Sequence, residues 1–293
     1  MGESRRHLLR WCWTPPPIAP RLWPAVLIAV LYSSAVYLIC EEFELGHPVW
    51  AEEVGVLNAL IIGVLVGFRT KAAYDRWWEG RQLWGDLTNQ CRNLSLKAAA
   101  YAKPSEVDRR ELARLLSAFP TALMLHLRGK VKLRDVPGFQ DDPANPDHVP
   151  AYIAARVMAL IASWRTADAI DGHCQQIIDN HASSLMNVCG ACERIRHTPL
   201  PESYLRLLWH GLILSFIVAP WHLAISLGAW AIAVQALLVY FFFGVELTAE
   251  STEQPFGSDP DDLPLERYSA NIRASVEEIL ISREAKRAHG QID

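Results

Sequence analysis

The amino-acid sequence predicts an all-α membrane protein with four transmembrane helices and a helical cytosolic region. Apolar runs without any Asp, Glu, Lys or Arg occupy residues 22–40, 54–68 and 207–245. One span needs roughly 20 helical residues, so the last run is long enough for two. Between residues 69 and 206, apolar side chains recur at helical spacings, and no stretch alternates convincingly as a strand would.

The first span is predicted at residues 22–40, after a cytosolic N-terminal segment. That segment carries four arginines and one glutamate, a charge pattern that also occurs in signal peptides. The apolar run, however, is longer than the roughly 7 to 15 residues of a signal peptide, and no A-x-A cleavage pattern follows it. We therefore interpret it as a retained transmembrane helix.

An acidic connector, residues 41–53, follows the first span. It holds five glutamates and no Lys or Arg, so the positive-inside rule places it on the outer side of the membrane. Glu52 and Glu53 would then stand at the outer mouth of the second span, where rings of carboxylates can concentrate cations. Alternatively, the two glutamates could simply follow from the acidic composition of a connector on the outer side of the membrane. The second span ends at Phe68, where basic residues mark the return to the cytosol.

The third and fourth spans share the last apolar run. A break between them is expected near Ala219-Pro220-Trp221, because proline disfavours helix in the residue before it. Both termini then lie in the cytosol. The predicted divisions are a cytosolic N-terminal segment (1–21), the first two spans (22–75), a helical cytosolic region (76–205), the last two spans (206–246) and a cytosolic C-terminal segment (247–293).

Composition excludes several other classes of protein. The net charge of −4 is unlike that of nucleic-acid binders, which are usually strongly basic, so no nucleic-acid partner is expected. Six cysteines in 293 residues are too few for a disulfide scaffold, and we interpret them as reduced thiols. The chain has no nucleophile elbow, phosphate loop or HExxH motif, so we do not expect an enzyme.

Two stripes run along the second span at steps of four residues. Small residues recur at Gly55, Ala59, Gly63 and Gly67, a pattern that lets membrane helices approach closely. Ordinary packing of a polytopic protein could produce this. The alternative is a pore whose apolar rings gate by dewetting, because they strip water from an ion without replacing it. Such a pore requires a symmetric oligomer. The bulky stripe that would form the rings is Val56, Leu60, Val64 and Phe68.

A long helix with one buried face is predicted from Cys174 to a turn at Thr198-Pro199. Cys189 and Cys192 on this helix form a C-x-x-C motif that could suggest zinc binding or redox chemistry. A structural zinc site generally needs four ligands at matched spacing, and buried thiols are the favoured interpretation. The residues of the buried face recur at steps of three and four: Cys174, Ile178, His181, Leu185, Val188, Cys192 and Ile195.

Two histidines, His210 and His222, lie inside the last apolar run. Ionisable residues within a membrane are functional candidates by default. They raise a rival hypothesis, a membrane haem-binding redox protein with histidine axial ligands. Their separation would place them on different faces of one helix or near the ends of two.

Two motifs carry a resemblance to a known family. They are VGFRTKAAYDRWWEGR at residues 66–81 and EQPFGSDPDDLPL at residues 253–265. They resemble the signature of the bacterial branch of the bestrophin family and the segment that follows the last span of that family. Together with the spans between them, they extend the resemblance over nearly the whole chain.

The resemblance implies a homopentameric channel for small monovalent ions, with one central pore, in the bacterial inner membrane. Its permeant ions, membrane lipid and other copies of the chain would be its partners. The neck of the pore would be formed by Leu60, Val64 and Phe68. A lower cytosolic aperture would be formed by Ile178, or by its neighbour Ile177. Animal members resemble this chain but are calcium-gated chloride channels, whereas bacterial relatives can pass monovalent cations.

The resemblance also bears on calcium. In calcium-gated relatives an acidic cluster after the last span holds the ion, through carboxylates that match Asp259 and Asp262. Here Pro260 interrupts the acidic run and Ser258 replaces an acid. A structural role in capping the following helix is the alternative. No cofactor is required by this interpretation.

Overall fold

The computed structural model describes residues 18–43 and 51–282, in which every regular element is helical. The all-helical prediction is therefore confirmed for these residues. A 3-10 turn lies at Leu133–Asp135, and a π-helical turn lies at Glu278–Ser282. The α-helices are α1 (Ala19–Glu42), α2 (Ala51–Tyr101), α3 (Glu106–Arg128), α4 (Val149–Thr166), α5 (Gly172–His197), α6 (Glu202–Leu227), α7 (Trp230–Thr252) and α8 (Leu265–Glu277).

Four helices in the described residues are long and apolar enough to cross a membrane, as the sequence predicts. They lie at Ala19–Glu42, Gly55–Tyr101, Glu202–Leu227 and Trp230–Thr252. The second is much longer than its apolar run, because α2 continues without interruption for 51 residues. It ends at Tyr101, shortly before Pro104, whose ring disfavours helix in the residue that precedes it.

The chain forms two compact units. Of the described residues, the first unit comprises 18–43, 51–75 and 200–253, and the second comprises 76–199 and 254–282. Helix α2 contributes its first half to one unit and its second half to the other. The sequence predicts boundaries after residues 75, 205 and 246. In the structure, the boundaries between the two units follow residues 75, 199 and 253.

In the first unit, helices α1, α6 and α7 pack on one another, and the first half of α2 packs on α6. One buried cluster joins α1 to α6 and α7 through Val36, Cys40, Ala224 and Ala231. Another joins Ile62 and Val66 of α2 to Leu208 and Leu212 of α6, with side chains of α7 against it. Much of the apolar surface of these helices is left exposed in the single chain.

The expected break at Pro220 is wrong, because α6 runs through that residue to Leu227 and the turn begins at Gly228. Gly228 has a φ of 56°, which glycine adopts without a steric penalty. Proline cannot donate to the carbonyl four residues earlier, that of Phe216. Gln235 of α7 supplies the missing donor, its Nε2 lying 3.2 Å from the Phe216 oxygen. The helix therefore continues because a neighbouring helix replaces the lost hydrogen bond.

The second unit has a larger core, built by the second half of α2 with α3, α4, α5 and α8. Two of its helices begin at favourable N-cap residues. Ser105 accepts a hydrogen bond from the Asp108 N–H at 3.1 Å, and Asp171 accepts one from the Cys174 N–H at 2.7 Å. The largest fully buried side chains here are Trp84, Trp164, Phe119 and Phe139.

Candidate functional site

The bulky stripe of α2 lies on a face that none of the described residues covers. Leu60, Val64 and Phe68 are 63%, 49% and 62% exposed. Ile62 and Val66, on the other side of the same helix, are buried against α6. In a membrane protein, large apolar side chains on a helix surface normally contact lipid or other helices. This face of α2 is therefore available to another chain, to lipid or to a lumen.

Within the described residues, the small stripe beside it has a close neighbour at Gly55, near the start of α2. A Cβ added at Gly55 would lie 2.7 Å from His222 Nε2, so that position requires glycine for the close approach of α2 and α6. Cβ atoms added at Gly63 or Gly67 would meet nothing within 4 Å. The close packing that this stripe predicts is therefore made within the chain at Gly55, and the remaining positions stay open.

A buried ion cluster follows the bulky stripe directly. Arg69 Nε lies 3.1 Å from Glu246 Oε1, and Arg69 Nη2 lies 2.9 Å from Glu253 Oε2. Glu253 also accepts the Leu200 N–H at 3.1 Å. Glu246 and Glu253 are seven residues apart at the end of α7, so both carboxylates reach one guanidinium from the same side. This cluster fixes α2 to α7 immediately after Phe68.

Sequence reasoning missed this cluster, because it treated Arg69 only as a marker of the membrane boundary. One pattern could have indicated it. Glu246 comes directly after the longest charge-free run, and a carboxylate at the edge of such a run needs a cation. Arg69 holds the equivalent position after the second run.

The predicted outer-mouth residues, Glu52 and Glu53, lie in the first turn of α2. Their side chains are outside the described residues, so the role assigned to them stays a prediction.

The structure contradicts the aperture assigned to Ile178. Its side chain is 0% exposed and belongs to the packed core of the second unit. A side chain at that depth cannot line a lumen. The neighbouring Ile177, the alternative that the resemblance left open, is partly exposed on the surface of α5.

Asp259 and Asp262 form a turn with each other. Asp262 Oδ2 accepts the Asp259 N–H at 2.6 Å, and the Asp262 N–H donates to the Asp259 carbonyl at 3.0 Å. Burial raises the pKa of Asp262. The expected capping of the following helix is wrong, because α8 begins after Pro264 with no side-chain cap. Two carboxylates supply only part of the six to eight oxygens that calcium prefers, and calcium binding stays a prediction.

The C-x-x-C motif lies in the core. Cys189 and Cys192 are fully buried, and burial raises the pKa of the Cys189 thiol to about 12 and raises that of Cys192 as well. His181, on the same helix, lies 2.6 Å from Lys97 Nζ and 2.6 Å from Gln90 Oε1. These residues therefore do not form a common metal site in the described part of the chain.

The two histidines of the haem hypothesis lie on the same helix, α6. Twelve residues separate His210 from His222, which is about 18 Å along the helix axis. The two side chains of one chain therefore cannot ligate one haem iron from opposite sides, and this pairing is wrong.

The two motifs of the resemblance contact each other in the second unit. A Cβ added at Gly80 would lie 3.0 Å from the Phe256 ring and 3.2 Å from Pro255. Trp77 donates from Nε1 to the Asp261 carbonyl at 3.2 Å. Arg76 donates to the carbonyls of Ile195 and Thr198 at the end of α5, at 2.6 and 2.5 Å. The motifs therefore serve to assemble this unit.

Three comparisons relate the chain to known proteins. The sequence profile described as "Bacterial/Fungal Bestrophin protein" matches residues 4–278. A voltage-dependent anion channel-forming protein of Nostoc sp. is 30% identical over 280 residues, which cover 92% of this chain and 90% of that protein. A protein of the same description from Mesorhizobium japonicum is 32% identical over 272 residues, covering 90% and 86%.

A solved structure agrees with these sequence matches. The crystal structure of a bacterial bestrophin homologue from Klebsiella pneumoniae aligns with a TM-score of 0.79 and 25% sequence identity, covering 87% of this chain and 97% of that one. The fold and the sequence therefore point to the same family along the length of the molecule.

Proposed function

The chain belongs to the bacterial and fungal bestrophin family, and from that premise we propose that it is an ion channel of the bacterial inner membrane. Ions would move passively down their gradient, without covalent chemistry. Relatives named for anion channel formation support anions as the first permeant class, with small monovalent cations as the alternative.

The observation that carries the proposal is the exposed apolar stripe of α2. Leu60, Val64 and Phe68 present three large apolar side chains at steps of four on a face left open in the single chain. Copies of such a face around an axis would form stacked apolar rings, which can gate by dewetting. The stripe therefore suits the neck of a pore.

One copy of α2 cannot enclose a pore, so the proposal requires a symmetric oligomer, for which the family resemblance favours a homopentamer. The open positions at Gly63 and Gly67 support this, because they leave room for a neighbouring helix beside the stripe. The remaining exposed apolar side chains would face lipid. Positively charged segments at the N-terminus and after Phe68 favour cytosolic termini.

The first experiment is a reversal-potential measurement on the purified protein in planar bilayers under a salt gradient. A value near the chloride equilibrium potential is expected. It would leave Glu52 and Glu53 as topology markers. A value near the sodium or potassium potential would assign cation conduction and give these glutamates a role at the outer mouth. Repeated absence of current would refute the channel itself. Repeating the recording with a calcium chelator tests whether calcium is needed, and no dependence is expected.

A second experiment tests the neck. The triple variant Leu60→Ala, Val64→Ala, Phe68→Ala widens all three proposed rings, and its single-channel conductance should rise. Ile61→Ala is the matched control, since Ile61 is also exposed on α2 but lies off the stripe. Its conductance should match that of the unmodified channel. Unchanged current in the triple variant would show that this stripe of α2 does not form the neck of the pore.

A further inference from the structure

Three side chains outside the proposed pore converge in the second unit. His126 comes from the last turn of α3, His148 is the N-cap residue of α4, and Glu193 lies on α5. Their ligand atoms all lie within 4.8 Å of one another, and each side chain is partly buried. We call these three residues the His126 cluster. Among the described residues it is the one group of three or more His, Cys, Asp or Glu side chains arranged in this way.

The two imidazoles share one carboxylate oxygen. His126 Nε2 lies 2.7 Å and His148 Nε2 lies 2.8 Å from Glu193 Oε1. A carboxylate oxygen only accepts, so both Nε2 atoms carry protons in this arrangement. The rings lie with their centroids 4.6 Å apart. Two ring nitrogens and one carboxylate oxygen therefore converge on a common position. Two N–H···O hydrogen bonds now join these three atoms.

We propose that the His126 cluster is a binding site for a divalent transition-metal ion of the zinc class. Two imidazole nitrogens and one carboxylate are a donor set that zinc accepts, with a fourth position left for water. Imidazole ligands disfavour calcium and magnesium, which take oxygen ligands. The metal would take the place of the protons on the two Nε2 atoms, each neutral ring then carrying its proton on Nδ1, and would join α3, α4 and α5 through one ion.

The distances allow this with a small movement. Zinc–nitrogen and zinc–oxygen bonds of about 2.0–2.2 Å in a tetrahedron place neighbouring ligand atoms roughly 3.4 Å apart. The nitrogen–oxygen distances would therefore open by about half an ångström from 2.7 and 2.8 Å. Partial exposure of all three side chains gives the ion a path of entry.

Metal binding would also displace one capping bond. His148 Nδ1 accepts the Ala151 N–H at 3.1 Å, which places the ring proton on Nε2. With a metal on Nε2, the neutral ring carries its proton on Nδ1 and no longer accepts that N–H. The Ala151 N–H, in the first turn of α4, would turn to water. Binding is therefore coupled to a tautomer change of His148 and to a change at the start of α4.

The test uses the tag-free full chain in detergent, stripped of metal and titrated with Zn²⁺ against a chromogenic chelator. One Zn²⁺ per chain is expected. Affinity should fall at least tenfold in His126→Gln and in Glu193→Gln. His181→Gln is the matched control, because His181 also lies half-buried on α5 but outside the cluster, and its affinity should not change.

Two further readouts keep the test decisive. Zn²⁺ should raise the Tm of the unmodified chain and leave that of Glu193→Gln unchanged. X-ray absorption at the zinc edge should show only nitrogen and oxygen neighbours at about 2.0–2.2 Å. No stoichiometric binding, or binding that survives both cluster variants, would overturn the proposal. So would sulfur neighbours at about 2.3 Å with affinity lost in a Cys189→Ser, Cys192→Ser variant. Channel activity plays no part in these outcomes.

Discussion

Arg69 Nε lies 3.1 Å from Glu246 Oε1, and both side chains are only 2% exposed. Burying two charges is costly, and attraction between them compensates only when both partners are present. Arg69 follows Phe68 directly, so the pair determines where the proposed neck segment meets α7.

Removing one partner of this pair should destabilise the chain strongly. Arg69→Met leaves Glu246 and Glu253 buried without their cation and should cost about 3–5 kcal/mol of unfolding free energy. The double variant Arg69→Met, Glu246→Leu should cost less than the sum of the two single variants. Denaturant titration in detergent measures all three. Arg21→Met is the control, since its ion pair with Glu250 is exposed and should contribute at most about 1 kcal/mol.

Gln235 and Pro220 should be energetically coupled. Gln235 donates to the Phe216 carbonyl that Pro220 leaves without a helical donor. In a Pro220→Ala background the backbone N–H at position 220 can satisfy that carbonyl. Gln235→Leu should therefore be more destabilising with proline present, by about 0.6–1.7 kcal/mol, the range for hydrogen bonds between membrane helices. A double-mutant cycle measures the difference, and equal effects in both backgrounds would show that the bond contributes nothing.

The sequence predicted the four apolar helices because a bilayer tolerates few charges over one span, and that constraint is visible in any charge-free run. It failed at Pro220 because the donor that preserves the helix, Gln235, lies on another helix. Ile178 shows a different conflict. The three-and-four periodicity of α5 put it on the buried face, whereas the family resemblance put it on a lumen, and the periodicity was right.

The His126 cluster could not be found from sequence spacing. His126 and Glu193 lie on two different helices and His148 caps a third, and their positions in the chain differ by 22 and 45. No local pattern connects them, so only the packing of α3, α4 and α5 brings them together. The C-x-x-C motif, which local spacing does reveal, lies in the core.

The buried thiols should be unreactive in the native chain. Burial raises the pKa of Cys189 to about 12, so at pH 8 almost none of it is thiolate. Maleimide labelling followed by peptide mass spectrometry should modify the half-buried Cys174 in the native protein and leave Cys189 and Cys192 unmodified until the protein is denatured. Labelling of Cys189 at the rate of Cys174 would contradict the packing of α5.

Glu111 should contribute to stability in a pH-dependent way. Hydrogen bonds from Arg114 at 2.7 Å, together with Arg156 at 3.0 Å, hold the pKa of Glu111 below its usual value. A carboxylate with a lowered native pKa stabilises the fold above its unfolded pKa of about 4.3, and this contribution is lost as the pH falls through the native value. Below pH 4.5, the Tm of Glu111→Gln should therefore fall less steeply with pH than the Tm of the unmodified chain. Glu106→Gln, at an exposed ion pair, should leave the curve unchanged.

Alanine variants of Ile178 and Ile177 should affect stability and single-channel conductance differently. Ile178 is fully buried, so Ile178→Ala should cost about 2–5 kcal/mol of unfolding free energy and leave single-channel conductance unchanged. Ile177 is partly exposed on the same turn of α5, so Ile177→Ala should cost far less. If Ile177 lines a cytosolic aperture, its alanine variant should also raise conductance. The opposite result, a conductance increase in Ile178→Ala with stability preserved, would mean that α5 rotates in the assembled channel to turn Ile178 toward the lumen.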